Sequence, residues 1–166
     1  MNGNENRGGS PAAQSGGESA AEDGFDGFTG FCPHKPVKTV IVGSTGRMGA
    51  MLLGRARKAG LNVEGVDVPL TPEILAPACA GADLAIICVP AAVFKEVIAT
   101  VCPHLPPAAV LADITSVKEI PLQQMEAAWP GPVVGTHPLF GPQPDPEADQ
   151  PVAIVPGTNA GQPHVE

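Results

Sequence analysis

The feature of this sequence that most constrains its fold is an apolar run that ends in regularly spaced glycines and leads directly into a helical pattern. Residues 37–42 are mostly β-branched and predict a buried strand. The glycines that follow are Gly43, Gly46 and Gly49. Apolar residues then recur at helical spacing from Met48 to Ala59. A strand, a glycine turn and a helix in this order direct backbone N–H groups and the positive end of the helix toward one point, which suits a pyrophosphate.

The glycine spacing differs from the usual dinucleotide fingerprint. The pattern here is G-x-x-G-x-x-G, whereas G-x-G-x-x-G would place its first glycine at the position of Ser44. A tight turn between strand and helix without any ligand is the alternative interpretation. Because a predicted strand precedes the turn and a predicted helix follows it, we favour dinucleotide binding. The residues predicted to hold the cofactor in this turn are Gly43, Ser44, Thr45, Gly46, Arg47, Met48 and Gly49.

A carboxylate at the end of the next predicted strand bears on the choice of cofactor. Residues 61–68 predict this strand, and Asp67 lies near its end, about 20 residues beyond the glycine turn. A carboxylate there accepts hydrogen bonds from the ribose hydroxyls of adenosine and repels a 2′-phosphate, which favours NAD over NADP. Arg47 favours NADP instead, since it could reach a 2′-phosphate from the turn. A solvated carboxylate at a strand end is the alternative for Asp67.

The rest of the chain alternates between strand and helix patterns. Further strands are predicted at residues 82–89, 108–114, 133–136 and 152–155, with helices starting at 72 and spanning 91–101 and 116–128. Thr71 is expected to cap the first of these helices, and Pro77 and Gly81 are expected to close it. The capping-box spacing of Ser116 and Glu119 is expected to open the last. Such alternation is typical of an α/β fold with a doubly wound, mostly parallel sheet. Val89 and Pro90 follow a strand end and are therefore candidate neighbours of the cofactor.

Composition excludes several classes of protein. The net charge of −8 argues against a nucleic-acid-binding protein, which would carry a basic face. No apolar run approaches the length of a membrane span, and the first residues do not resemble a signal peptide. The four cysteines have no metal-binding spacing, so we expect no metal site and a reducing, cytoplasmic setting. The expected organisation is a disordered lead over 1–36, a dinucleotide-binding domain over 37–157 and a tail or truncated linker over 158–166.

Two later segments resemble a known family. Residues 113–118 read D-I-T-S-V-K, and residues 135–142 read G-T-H-P-L-F-G-P. Downstream of a glycine turn, both resemble the prephenate/arogenate dehydrogenases of tyrosine biosynthesis. The resemblance covers residues 38 to about 156 and implies a Rossmann-type NAD-binding domain. It also implies oxidative decarboxylation of prephenate to 4-hydroxyphenylpyruvate, or of arogenate to tyrosine, with NAD as the hydride acceptor.

The same resemblance assigns roles to individual residues. His137 matches the catalytic histidine of the family, and a neutral imidazole suits the removal of the hydroxyl proton. Ser116 matches the serine that hydrogen-bonds this histidine and the region of the reacting hydroxyl. The simpler interpretation of His137 is a histidine whose hydrogen bonds are satisfied within a turn. The simpler interpretation of Ser116 is a helix cap. Lys118 is expected to be a solvated residue at the start of a helix, with contact to the substrate as the alternative.

The sequence lacks one part of the family's machinery. Prephenate is a dianion, yet no arginine follows Arg57. The helical domain that supplies substrate contacts and dimerisation in the family is absent from this sequence. We therefore expect weak turnover or none from this chain, and a homodimer only where the helical domain is present. A non-catalytic NAD-binding module and an NADP-dependent reductase are the alternatives.

Overall fold

The computed structural model describes residues 36–145 and 147–159, and the described strands form one sheet in the order β2-β1-β3-β4-β5-β6. The strands are β1 (Thr39–Val42), β2 (Val63–Val66), β3 (Leu84–Ile87), β4 (Val110–Asp113), β5 (Val133–Pro138) and β6 (Val152–Pro156). The first five strands pair in parallel, and β6 pairs antiparallel with β5. The prediction of a doubly wound, mostly parallel sheet is confirmed.

Helices cover both faces of the sheet. They are α1 (Arg47–Lys58), α2 (Pro72–Cys79), α3 (Ala91–Val101) and α4 (Glu119–Ala128), with a 3₁₀ turn at Cys102–His104. The main apolar core joins one face of the sheet to α2, α3 and α4, and the largest side chains buried in it include Phe94, Leu111 and Met125. Ile41 points to the other face. It is also buried, beside α1, which contacts β1 and β2.

The order of the strands fixes where a ligand can bind. β1 lies between β2 and β3, so the chain reverses its direction of winding between β1 and β3. In open α/β sheets the crevice beyond the carboxyl ends of the strands, at such a reversal, is the place for a ligand. The glycine turn follows β1 and Cys88 follows β3, so both lie at this crevice.

The element boundaries differ in detail from the sequence predictions. Most strands are shorter, because their predicted ends lie in connections beyond the paired residues. α3 has the predicted bounds, and Gly60, with φ +72°, follows the last turn of α1 as predicted. α2 ends at Cys79, between Pro77 and Gly81, which were predicted to close it, and Pro77 itself lies inside the helix. β5 is longer than predicted because β6 pairs along it as far as Pro138, so His137 lies within the strand.

The predicted capping box at Ser116 is also wrong. α4 begins at Glu119, Lys118 occupies the N-cap position, and no side chain caps the helix. The N–H of Thr115 donates instead to the carboxylate of Asp113, at 2.8 Å, so the chain turns before it becomes helical. The predicted disordered lead lies almost wholly outside the described residues.

Candidate functional site

The glycine turn after β1 is packed so closely that two of its positions exclude a side chain. Gly43 has φ +83°, and a Cβ there would lie 2.5 Å from the carbonyl oxygen of Cys88. A Cβ on Gly49 would lie 2.1 Å from the carbonyl oxygen of Gly43. The turn therefore brings the start of α1 directly against the end of β1 and next to the end of β3. The positive end of a 12-residue helix faces the crevice as a result.

Asp67 is joined to this turn by hydrogen bonds. One carboxylate oxygen accepts from the backbone N–H of Thr45 at 2.8 Å and from its hydroxyl at 2.6 Å. The other accepts from the N–H of Val68 at 2.8 Å. Partial burial raises the pKa of this carboxyl, but the hydrogen bonds from Thr45 and Val68 outweigh it, so the pKa lies below its usual value. Asp67 is thus a carboxylate near neutral pH, held at the mouth of the crevice with acceptor capacity left for a ligand.

Two cavities lie at the carboxyl ends of the strands and share Val89 and Pro90 in their walls. The larger measures about 790 Å³ and the smaller about 430 Å³. Of the described residues that line the larger one, Arg47 alone carries a charge. Those of the smaller one include two carboxylates, Asp67 and Glu96, and no basic side chain. The positive charge and the two acids therefore lie on opposite sides of the shared wall.

The structure distributes the predicted cofactor residues unevenly over these cavities. The larger cavity collects Gly46, Arg47, Met48, Val89 and Pro90, together with the predicted catalytic Ser116, and the smaller one Gly43, Asp67, Val89 and Pro90. Ser44, Thr45 and Gly49 line neither cavity. Ser44 is 8% exposed and packs against Gly65 in β2. Ser44 and Gly49 are buried within the turn, whereas Thr45 is exposed and holds Asp67 by two hydrogen bonds.

Lys118 is not the solvated residue that the sequence predicted. Its ammonium lies 2.7 and 2.8 Å from the two carboxylate oxygens of Asp113, which is fully buried at the end of β4. It also donates to the backbone carbonyl of Thr136 in β5, and its side chain is only 16% exposed. The prediction failed because the spacing D-x-x-S-V-K does not reveal a long-range contact. The loop after β4 turns back, so that the Lys118 side chain meets Asp113 at the end of that strand.

His137 is half-buried and lies on the side of the sheet that carries the larger cavity. Side chains two residues apart on a strand share a face, so His137 shares that of Val133 and Gly135. Val133 belongs to the core under α4, and a Cβ on Gly135 would lie 3.0 Å from the Lys118 side chain. Within residues 36–145 and 147–159, no hydrogen bond links the imidazole to the hydroxyl of Ser116. The catalytic roles of both residues therefore stay predictions.

Cys88 and Glu96 line the cavities, although sequence reasoning did not select either of them for the site. Burial, and then the negative charge of Asp113, raise the pKa of the Cys88 thiol to about 12. The Cys88 thiol is therefore protonated near neutral pH. The one feature of the sequence that could have placed Cys88 in the site was its position at a strand end beside Val89. Glu96 lies in the middle of α3, and no sequence pattern marks it as a site residue.

The raised pKa of Cys88 predicts an unreactive thiol. At pH 8 a thiol with a pKa of about 12 has about 10³-fold less thiolate than one with a pKa near 9. Alkylation of Cys88 by iodoacetamide, followed by mass spectrometry of peptides, should therefore be at least about tenfold slower than alkylation of a free cysteine, since the greater nucleophilicity of a high-pKa thiolate offsets part of the lower thiolate population. Labelling of Cys88 as fast as that of free cysteine would contradict the raised pKa.

Two general features of the described residues complete this picture. No three histidine, cysteine or acidic side chains among them cluster as a metal site would require. Within the same part of the chain, no helix is both long enough and apolar enough to cross a bilayer.

The family model and the relatives that match this chain agree on one protein family. Residues 45–163 match the family described as "Prephenate dehydrogenase, nucleotide-binding domain". The T-protein of Enterobacter agglomerans is 41% identical over 103 residues, which are 62% of this chain and 27% of that protein. A probable arogenate/prephenate dehydrogenase of Methanocaldococcus jannaschii is 40% identical over 95 residues, 55% of this chain and 21% of the relative. The chain thus spans about a quarter of the length of these relatives.

Solved structures show the same fold. Synechocystis arogenate dehydrogenase is similar with a TM-score of 0.60 and 23% identity, over 76% of this chain and 52% of that one. Prephenate dehydrogenase from A. aeolicus, in complex with hydroxyphenyl propionate and NAD+, is similar with a TM-score of 0.61 and 18% identity, over 80% and 55% of the two chains. At these identities the likeness concerns the fold alone.

Proposed function

Because this chain belongs to the prephenate dehydrogenase family through its nucleotide-binding domain, we propose that it binds NAD. It would supply the NAD-binding part of an active site that converts prephenate to 4-hydroxyphenylpyruvate, or arogenate to tyrosine. The observation that carries the proposal is the glycine turn at the reversal between β1 and β3, where Gly43 and Gly49 leave no room for side chains. Two cavities of suitable total size open directly beyond it.

The residues present fit a dinucleotide of NAD type. Helices α1 and α3 both begin at the larger cavity, and Arg47 adds a positive charge, so a pyrophosphate is favoured there. The smaller cavity has apolar walls for an adenine, and Asp67 stands at its edge for the ribose hydroxyls. Ser116 lines the far side of the larger cavity, where the nicotinamide would extend toward β4 and β5.

The proposed chemistry needs little more than orientation and one proton acceptor. NAD, when bound, supplies the acceptor for the hydride that leaves the hydroxyl-bearing carbon of the substrate. His137 would take the hydroxyl proton, and the hydroxyl group of Ser116 would orient the reacting groups. Loss of carbon dioxide makes the ring aromatic, so most of the driving force lies in the substrate itself. The protein's contribution would then be to orient the ring hydroxyl toward the imidazole.

Binding and turnover are tested separately. Titration of the purified chain with NAD in a calorimeter should give saturable binding. Addition of prephenate or arogenate, followed at the absorbance band of NADH, should give slow turnover, because Arg47 is the one charged side chain among the described residues that line the larger cavity. Failure to bind NAD would refute the proposal as a whole. Binding with no turnover of either substrate would favour the alternative, a non-catalytic NAD-binding module.

The charges of the smaller cavity predict a preference for NAD over NADP. Asp67 and Glu96 line it and Arg47 does not, so a 2′-phosphate would meet two carboxylates without a cation. We expect NADP to bind at least about tenfold more weakly than NAD in calorimetric titrations. Asp67→Ala should weaken NAD binding by about tenfold and reduce the discrimination, because it removes charged acceptors of hydrogen bonds.

A matched control is available on α2. Glu73 is an exposed carboxylate that lines neither cavity, so Glu73→Ala should leave both affinities unchanged. Preferential binding of NADP by the wild-type chain would contradict this assignment and favour the NADP-dependent reductase. Dimerisation and a cytoplasmic location remain predictions from the sequence, to be checked by light scattering and by fluorescence microscopy of a tagged chain.

A further inference from the structure

The ammonium group of Lys118 joins two strands at the point where they stop pairing. It lies 2.7 Å from one carboxylate oxygen of Asp113, the last residue of β4, and donates to the carbonyl of Thr136 in β5. The hydroxyl of Thr136 in turn donates to the backbone carbonyl of Asp113 at 2.5 Å. Two side chains thus continue the link between β4 and β5 beyond the last residue pair.

The pairing pattern explains why a donor is needed there. In β5 the carbonyl oxygens point alternately to one neighbouring strand and to the other. The N–H of Leu111 binds the carbonyl of Pro132, so the carbonyl of Thr136, four residues later, also faces the β4 side. Pairing with β4 ends at Asp113 opposite Gly135, so no backbone N–H of β4 is left for it. The ammonium of Lys118 supplies the missing donor.

The lysine stem also occupies the face of β5 on which His137 lies. A Cβ on Gly135 would lie 3.0 Å from Cδ of Lys118, so the absence of a side chain at position 135 makes room for the lysine. His137 follows on the same face, about 7 Å further along the strand. Its preceding peptide bond carries the carbonyl that Lys118 holds.

We propose that Lys118 is a positioning residue, which fixes the backbone that carries His137 by joining the carboxylate of Asp113 to the carbonyl of Thr136. The inference rests on the proposed function, because it assigns to this link the orientation of the proposed proton acceptor. Lys118 itself lines neither cavity and touches neither cofactor nor substrate in this assignment.

A purely structural role for the ion pair makes a different prediction. If Lys118 serves only to neutralise a buried carboxylate, then removing both charges together should restore the fold and the site at once. If Lys118 positions His137, then the double variant Lys118→Met/Asp113→Asn should restore the fold but leave the Thr136 carbonyl without its donor. The imidazole would then sample several rotamers.

The test measures the side-chain rotamer of His137 in the full chain. Three-bond couplings from Cγ of His137 to its backbone nitrogen and carbonyl carbon, recorded on labelled protein, report χ1 directly, and His137→Asn identifies the signals. Wild type should show the couplings of one rotamer, and the double variant should show averaged couplings while its affinity for NAD stays within about twofold. Lys118→Met alone should show the same averaging and a lower melting temperature.

Lys95→Met is the matched control, since Lys95 is an exposed lysine on α3 that lines neither cavity of the site. It should give the couplings of wild type. One-rotamer couplings in the double variant, or averaged couplings in the wild type, would overturn the proposal. A wild-type chain that fails to bind NAD would refute the proposed function instead, and the couplings would still report the link between Lys118 and His137.

Discussion

Gly49→Ala is expected to abolish measurable NAD binding and to lower the free energy of unfolding by about 3 kcal/mol. The new methyl group would lie 2.1 Å from the carbonyl oxygen of Gly43 and 2.9 Å from its carbonyl carbon. Both atoms belong to backbone and cannot rotate away as the end of a side chain could. The helix must then move off the strand, which displaces the N–H groups that are proposed to bind the pyrophosphate. Urea denaturation and calorimetric titration measure the two effects.

Gly54→Ala provides a control within the same helix. A Cβ on Gly54 meets no atom within 4 Å, so the substitution should leave NAD affinity unchanged. It should also stabilise the chain by about 0.5–1 kcal/mol, because alanine loses less conformational freedom in a helix than glycine does. If Gly49→Ala and Gly54→Ala behaved alike, the close contact between α1 and β1 would not be what maintains the site.

His137→Asn should reduce turnover at least about 10²-fold and leave the affinity for NAD within about twofold. Asparagine keeps a polar group of similar reach in the strand, but it cannot accept a proton near neutral pH. His137 lines neither cavity, so the cofactor should still bind. The NADH absorbance rate with prephenate or arogenate measures the loss, and calorimetry measures the affinity.

His104 supplies the control for this experiment. It lies in the 3₁₀ turn after α3, at the amino-terminal side of β4 and away from the glycine turn. His104→Asn should therefore retain the wild-type rate. In a wild-type chain that oxidises the substrate, equal rates for wild type and His137→Asn would exclude the imidazole as the proton acceptor.

The predictable part of this fold was local. The run of β-branched residues before Gly43, the helical period after it and the proline before α3 each act through neighbouring residues, so the sequence alone predicted them. The bounds of α3 agree with the prediction because Pro90 both ends the preceding extended segment and leads into the helix. Strand ends were less predictable, since a strand stops where its neighbour stops pairing and not where its own apolar run ends.

The unpredictable part of the site depended on partners distant in the chain. Ser116 and Glu119 have the spacing of a capping box, but the carboxylate of Asp113 draws Thr115 and Lys118 into a turn that excludes it. Lys118 meets the carbonyl of Thr136 only because β4 and β5 are neighbours. Glu96 reaches the smaller cavity because residues of α3 line it together with Asp67 and Val68, which follow β2, and not because of any pattern around it.

Residues close together in the chain encode the succession of strands and helices, the glycine turn and, through two short segments, the family, so these features are predictable without coordinates. The assembled sheet sets which charges share a cavity, pairs Lys118 with Asp113 instead of leaving it solvated, and places His137 within a strand. Burial, ion pairing and strand pairing depend on distances between elements, and those distances exist only once the sheet has formed.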